Sequence, residues 1–160
     1  FQCPACKAVE SVSGKNIRSM AETGKIRLIY RIVNFLDINL RNDSSTRAAN
    51  AFGCAVDQGA GSNYHDMIYA NQPAREGVGY TDAQLTMFAK NSGITGDKLA
   101  AWQDCVDNRT YKDWVANSMD QFTKKKHTAT PTAVLAGTKL DNTILIDPKK
   151  FADAVAKATK

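Results

Sequence analysis

The chain has 160 residues, 43% of them hydrophobic and 23% charged, the balance of an ordinary globular domain large enough for a core of its own. No apolar run approaches the ~20 residues that a membrane-spanning helix needs. Lys and Arg outnumber Asp and Glu by 21 to 16, a net charge of +5, yet they are spread from Lys7 to Lys160 with no nucleic-acid-binding motif, so no nucleic-acid partner is expected.

Pro4 to about Ala21 reads as a helix. Apolar or small residues recur at Cys6, Val9, Val12, Ile17 and Met20, proline sits in the first turn where its missing N–H costs nothing, and Gly24 ends the run. Ser13-Gly14 weakens the middle. KIRLIYRIVNFL, from Lys25, is rich in β-formers and apolar on both faces, the pattern of a central strand covered on two sides. From Ser44 the character is helical. Ser44 and Ser45 are candidate N-caps, and Ala48, Ala49, Phe52 and Val56 form an apolar stripe ending at Gly59. A short helix follows from Asn63 towards Pro73. TDAQLTMFAKNSG then gives a helix capped at Thr81 or Asp82, and helices from Asp97 and Tyr111 complete the block. Its end carries the one dense basic run, Lys124-Lys125-Lys126-His127. That run suits a solvated helix terminus, with an anion- or substrate-facing patch as the alternative. Beyond Thr128 the pattern predicts a strand over 132–136, a turn at Gly137-Thr138, a second strand over 140–146, and a last helix opened by Pro148.

Chemistry is concentrated at two places. Cys3-Pro4-Ala5-Cys6 puts the first cysteine at a helix start, where backbone N–H groups and the macrodipole favour a thiolate, and the second one turn below. That arrangement suits a dithiol centre with one attacking and one resolving sulfur. Alone, C-x-x-C favours a redox centre, with half a metal site and then a structural crosslink as the alternatives. Zinc lacks further ligands, because Cys54 and Cys105 form no second C-x-x-C and His65 and His127 are isolated. No metal or other cofactor is expected. The second place is Thr130-Pro131-Thr132, immediately before the hairpin. Four cysteines, an even count, suggest paired disulfides and an oxidising compartment.

Together FQCPAC, IRLIYRIVNFLD, STRAANAFGCAVDQG, YHDMIYANQP, TDAQLTMFAKNSGI, TATPT and VLAGTKLD resemble the DsbA-like thiol–disulfide oxidoreductases, and most closely their exported actinobacterial members. The resemblance implies an α/β thioredoxin-like fold formed by residues 1–40 and 127–160, with an all-helical domain, 41–126, inserted in it. It makes Cys3 the nucleophile and Cys6 the resolving cysteine. Pro131 becomes a cis-proline, and Thr130 offers its backbone to a substrate segment that adds as a strand. Related exported enzymes carry a structural disulfide in the helical block, which implies a Cys54–Cys105 bond worth ~4 kcal/mol in the chain-entropy model.

Two departures from the family accompany this. A thioredoxin fold has a strand directly before C-x-x-C, whereas only Phe1 and Gln2 precede Cys3. The natural protein is therefore expected to extend upstream, or to receive that segment from elsewhere. The intervening dipeptide, Pro4-Ala5, lacks the histidine common in strong oxidants, so a low thiol pKa must come from the helix terminus and neighbouring groups. Glu10, four residues after Cys6, is expected to have a surface or packing role.

The expected function is an extracytoplasmic, monomeric oxidase. It would donate a Cys3–Cys6 disulfide to reduced exported proteins and be regenerated by a membrane quinone-linked reoxidase. An isomerase or reductase using the same site is the alternative within this chemistry, since threonine before the cis-proline also occurs in isomerases. A redox-inert binding module or chaperone is the alternative outside it.

Overall fold

The computed structural model describes residues 1–158. In chain order it contains α1 (Pro4–Val9), a π-helical segment (Glu10–Gly14), α2 (Lys15–Glu22), α3 (Phe35–Leu40), α4 (Ser44–Asp57), α5 (Gly61–Ala70), α6 (Asp82–Asn91), α7 (Asp97–Asp107), α8 (Lys112–Lys124), β1 (Val134–Leu135), β2 (Thr138–Lys139), α9 (Asn142–Leu145) and α10 (Pro148–Ala158). These elements form two compact units, one of Phe1–Gln2 with Arg31–Lys126, the other of Cys3–Tyr30 with the residues from His127 onward. The division falls at Tyr30–Arg31 rather than at 40–41, because α3 packs on α4 within the helical unit. Among the described residues no helix is long and apolar enough to cross a membrane.

Helix α4 is the centre of the helical unit. Ala48, Ala49, Ala51, Cys54 and Ala55 are fully buried, and their small side chains let α5, α7 and α8 pack closely around it. Gly53 is required there, since a Cβ would lie 2.4 Å from the Tyr111 ring. Cys54 and Cys105 are disulfide-bonded, tying α4 to α7 with a Cα–Cα distance of 5.8 Å. Trp102 Nε1 donates to Ala51 O at 3.1 Å. Asn50 braces the turn after α7, donating to Val106 O and accepting from Tyr111 N at 2.8 Å. Thr81 and Gln84 close a capping box on α6.

The start of α4 differs from the sequence expectation. Neither Ser44 nor Ser45 caps it; the N-cap is Asp43, which makes no side-chain cap bond. The buried carboxylate of Asp37 does that work from α3, accepting from Ser45 N (2.7 Å), Thr46 N (2.8 Å) and Thr46 Oγ1 (2.7 Å). An ionised carboxylate supplies four acceptor sites, more than a serine hydroxyl can. Phe1 and Gln2 are anchored in this unit too. Phe1 O accepts from Gln72 Nε2 at 2.9 Å and from Tyr80 OH at 3.1 Å, and its ring packs against Phe52, His65 and Tyr69. Gln2 Nε2 donates to Ser45 Oγ at 2.7 Å.

The other unit has a core of Val9, Ile17, Leu145, Phe151 and Val155, flanked by Met20, Ile26, Leu28, Leu135 and Leu140. Its first helix is interrupted where Ser13-Gly14 weakened the pattern. Glu10–Gly14 widens to a π-turn, across which Glu10 Oε2 pairs with Arg18 Nη1 at 3.3 Å. A Cβ at Gly14 would sit 2.5 Å from that carboxylate oxygen, so glycine keeps room for the ion pair. Glu10 thus packs under the bulge.

Two strand expectations are corrected. Residues 25–34 form no strand. Their burial alternates, with Ile26, Leu28 and Tyr30 half-buried and Ile29 55% exposed, but among the described residues no strand pairs with them. Period-2 patterning prepares a strand, and only a hydrogen-bonded neighbour makes one. The hairpin is also shorter than expected, pairing Val134 with Lys139 and Leu135 with Thr138. Residues 141–146 do not continue it. Asp141 instead accepts from Thr143 N at 2.8 Å and starts the short helix α9, which buries Leu145. A side-chain cap offers this backbone an alternative to the ladder.

Candidate active site

Cys3 is the N-cap of α1, in extended conformation (φ −67°, ψ 122°), with Pro4 as the first helical residue. Its carbonyl accepts from Lys7 N at 3.2 Å, which closes the first turn and places Cys6 below Cys3. Pro4 and Ala5 are exposed, while both cysteines are half-buried thiols. The chain returns to this point 127 residues later. Cys3 Sγ donates to Thr130 O at 3.4 Å, and the Thr130–Pro131 peptide is cis. Thr132 Oγ1 donates to Ala129 O at 2.6 Å, bracing the loop. Leu140 N donates to Ala133 O at 2.9 Å, joining the loop to the hairpin.

The two sulfurs have opposite acidities. Cys3 is pulled down to about 5, chiefly by the hydrogen bond it receives from the Cys6 thiol. Burial opposes this, and the Thr130 side chain and the backbone N–H groups of Cys6 and Ala5 reinforce it. No side-chain cap bond closes in the dithiol, but those N–H groups lie near enough to favour the anion. Cys6 is pushed far above the ordinary thiol range, first by that same hydrogen bond, then by burial and by the negative charge of Cys3. The pair therefore titrates as a unit. At neutral pH it holds one thiolate at the more accessible sulfur and one proton on the buried sulfur.

The structure brings together Cys3, Cys6, Thr130 and Pro131, and it places Cys54 and Cys105 in the helical unit as a disulfide. Sequence reading missed Thr132 as the brace of the loop, and Gln72 and Tyr80 as the anchors of the peptide that leads into Cys3. No local pattern marks Gln72 or Tyr80, because their acceptor is a carbonyl oxygen 71 and 79 positions away; the Thr132 brace is local, reaching back three residues to Ala129 O. Among the described residues no group of three or more His, Cys, Asp or Glu is placed to hold a metal ion.

A cis-proline loop facing an acidic C-x-x-C at a helix start defines a thioredoxin-type dithiol site, and the thioredoxin family model matches residues 1–156: the chain belongs to the thioredoxin family. Its structural neighbours are DsbA-type thiol–disulfide oxidoreductases. MdbA, a thiol–disulfide oxidoreductase from Actinomyces oris, superposes with a TM-score of 0.78 at 20% identity, covering 98% of this chain and 75% of that one. Reduced DsbA from Mycobacterium tuberculosis gives 0.71 at 25% identity, covering 99% and 85%. Reduced DsbG from the same organism gives 0.71 at 26% identity, covering 100% and 81%. A comparison with curated proteins finds no match.

Proposed function

We propose that the protein is an extracytoplasmic thiol–disulfide oxidase that donates a Cys3–Cys6 disulfide to reduced exported proteins. The observation that carries this is the geometry of the dithiol: Cys3 caps α1 3.4 Å from Thr130 O, and Cys6 lies one turn below it, which pulls Cys3 down to about 5 and holds Cys6 protonated. Stabilising the thiolate stabilises the reduced form, which makes the disulfide form a stronger oxidant. In the reaction a substrate thiolate attacks Cys3 Sγ of the disulfide. The Cys3–Cys6 bond breaks, and Cys6 leaves with the electron pair and takes a proton. A second substrate thiolate then attacks the substrate sulfur of the mixed disulfide and releases Cys3 as a thiolate. Two electrons pass from the substrate dithiol to the protein, which a quinone-linked membrane reoxidase returns to the disulfide. Thr130 O, beside Cys3, is the acceptor for a substrate backbone N–H, and the protein acts as a monomer. The Cys54–Cys105 bond in the helical unit suits an oxidising compartment.

The likeness to DsbG supports a second reading, in which the same cysteines serve an isomerase or reductase. Refolding of a reduced, multi-disulfide substrate tests the first. The wild type should accelerate it and Cys3→Ala should not; equal rates overturn the oxidase reading. The Cys3–Cys6 potential against glutathione decides direction. A value near about −120 mV supports donation of disulfides, and one near about −270 mV supports reduction.

A further inference from the structure

The charge of this protein is not shared between its two units. The helical unit holds eleven Lys and Arg against eleven Asp and Glu, so it is neutral, whereas the thiol-bearing unit holds ten against five and carries the whole +5. Three of its five acids are engaged internally. Glu10 pairs with Arg18, Asp141 caps α9, and Asp147 accepts from Lys149 N and Lys150 N. The cations are mostly uncommitted. Among the described residues Lys7, Lys15, Lys25, Arg27 and Lys139 have no ion-pair partner, and all but Lys7 are exposed. Lys7 lies one turn after Cys3 on the same side of α1, whose first turn holds no acid. The loop 128–132 carries no charge of its own, and the hairpin it enters carries Lys139, paired across from Val134.

From this partition we infer that the site selects substrate segments that are acidic around the reacting cysteine. The inference rests on the thiol-exchange reading above and adds the class of its substrate. A net positive field raises the local concentration of anionic segments and speeds encounter, by on the order of tenfold at low salt, and it fades with ionic strength.

The test uses the full chain in its disulfide form and three single-cysteine peptides of equal length, flanked by Glu, Ser or Lys. Mixed-disulfide formation is read by quenched-flow mass spectrometry at about 20 and about 500 mM salt, where the Debye length falls several-fold. Rates are divided by each peptide's thiolate fraction, because flanking Glu raises the peptide's own thiol pKa. The Glu peptide should react at least several-fold faster than the Lys peptide at low salt and about equally at high salt. The triple variant K15E/K25E/K139E, which takes the unit from +5 to −1, should lose the preference while its Ser-peptide rate stays within about twofold. Equal low-salt rates in the wild type overturn the inference, as does a preference that high salt leaves intact. Equal peptide rates with salt-sensitive binding to phosphatidylglycerol vesicles would assign the charge to a membrane surface and overturn it too. Failure of all three peptides to react would instead refute the thiol-exchange reading.

Discussion

The hydroxyl of Tyr80 lies 3.1 Å from the carbonyl oxygen of Phe1, two residues before Cys3. With Gln72 it fixes the peptide that runs into Cys3. Burial pushes the phenol well above its ordinary pKa, so it stays a donor at any physiological pH. Tyr80→Phe keeps the ring and removes the donor. The one hydroxyl hydrogen is shared between Phe1 O and Ile68 O, each at 3.1 Å, and Gln72 still serves Phe1 O, so the loss should be about 1 kcal/mol, read as a lower midpoint in denaturant. An unchanged midpoint would show that the hydroxyl contributes nothing.

Titration of the reduced protein should show a thiolate, by absorbance at 240 nm, with a midpoint near 5. The folded pKa lies below the ordinary thiol value of 9.0, so Cys3 adds stability that is full above about pH 9 and is lost as pH falls through about 5. The difference in stability between reduced and oxidised protein should therefore grow between these limits. The potential should fall by about 30 mV per pH unit above 5, where reduction takes up one proton, and by about 59 mV below it, where it takes up two. A 59 mV slope persisting to pH 8 would show that Cys3 is not acidic.

Removing the disulfide with Cys54→Ala and Cys105→Ala should destabilise the protein by about 4 kcal/mol, from a loop spanning 51 positions. The two cysteines lie in the helical unit, outside the dithiol, so exchange at Cys3 should continue at the wild-type rate below the melting range. Denaturant midpoints and peptide exchange rates, measured together, separate these effects.

Asp37→Ala should cost about 3 kcal/mol, since it strands two backbone N–H groups and a hydroxyl at the start of α4. Asp37→Asn keeps one acceptor oxygen and should cost less. Equal midpoints for the two variants would contradict the capping role.

Sequence pattern made the helical block legible because each helix carries its own periodicity and stops, as from Thr81 to Gly93. The approach of C-P-A-C to T-P-T could be read only through family likeness, since nothing local links residues 127 positions apart. What stayed illegible depends on distant groups. Lys25 to Asn34 has the composition of a strand, but the ladder is a property of two segments. Ser44 and Ser45 look like caps until the carboxylate of Asp37 arrives from the preceding helix. At Asp141 the opposite happened, and a local cap overrode apolar residues that suggested a strand.

The hydrogen on Cys3 occupies the carbonyl oxygen of Thr130. Loss of that hydrogen leaves a thiolate and, in the same event, opens the oxygen to another donor. The disulfide form has no hydrogen at Cys3 either. Of the thiol, the thiolate and the two disulfide states of this sulfur, only the neutral thiol has a hydrogen that can occupy that oxygen. With a midpoint near 5, that state is a minor species at neutral pH. On the reading proposed above, one proton would therefore withdraw thiolate and acceptor oxygen together in the reduced protein, while the disulfide form would keep that oxygen open at every pH.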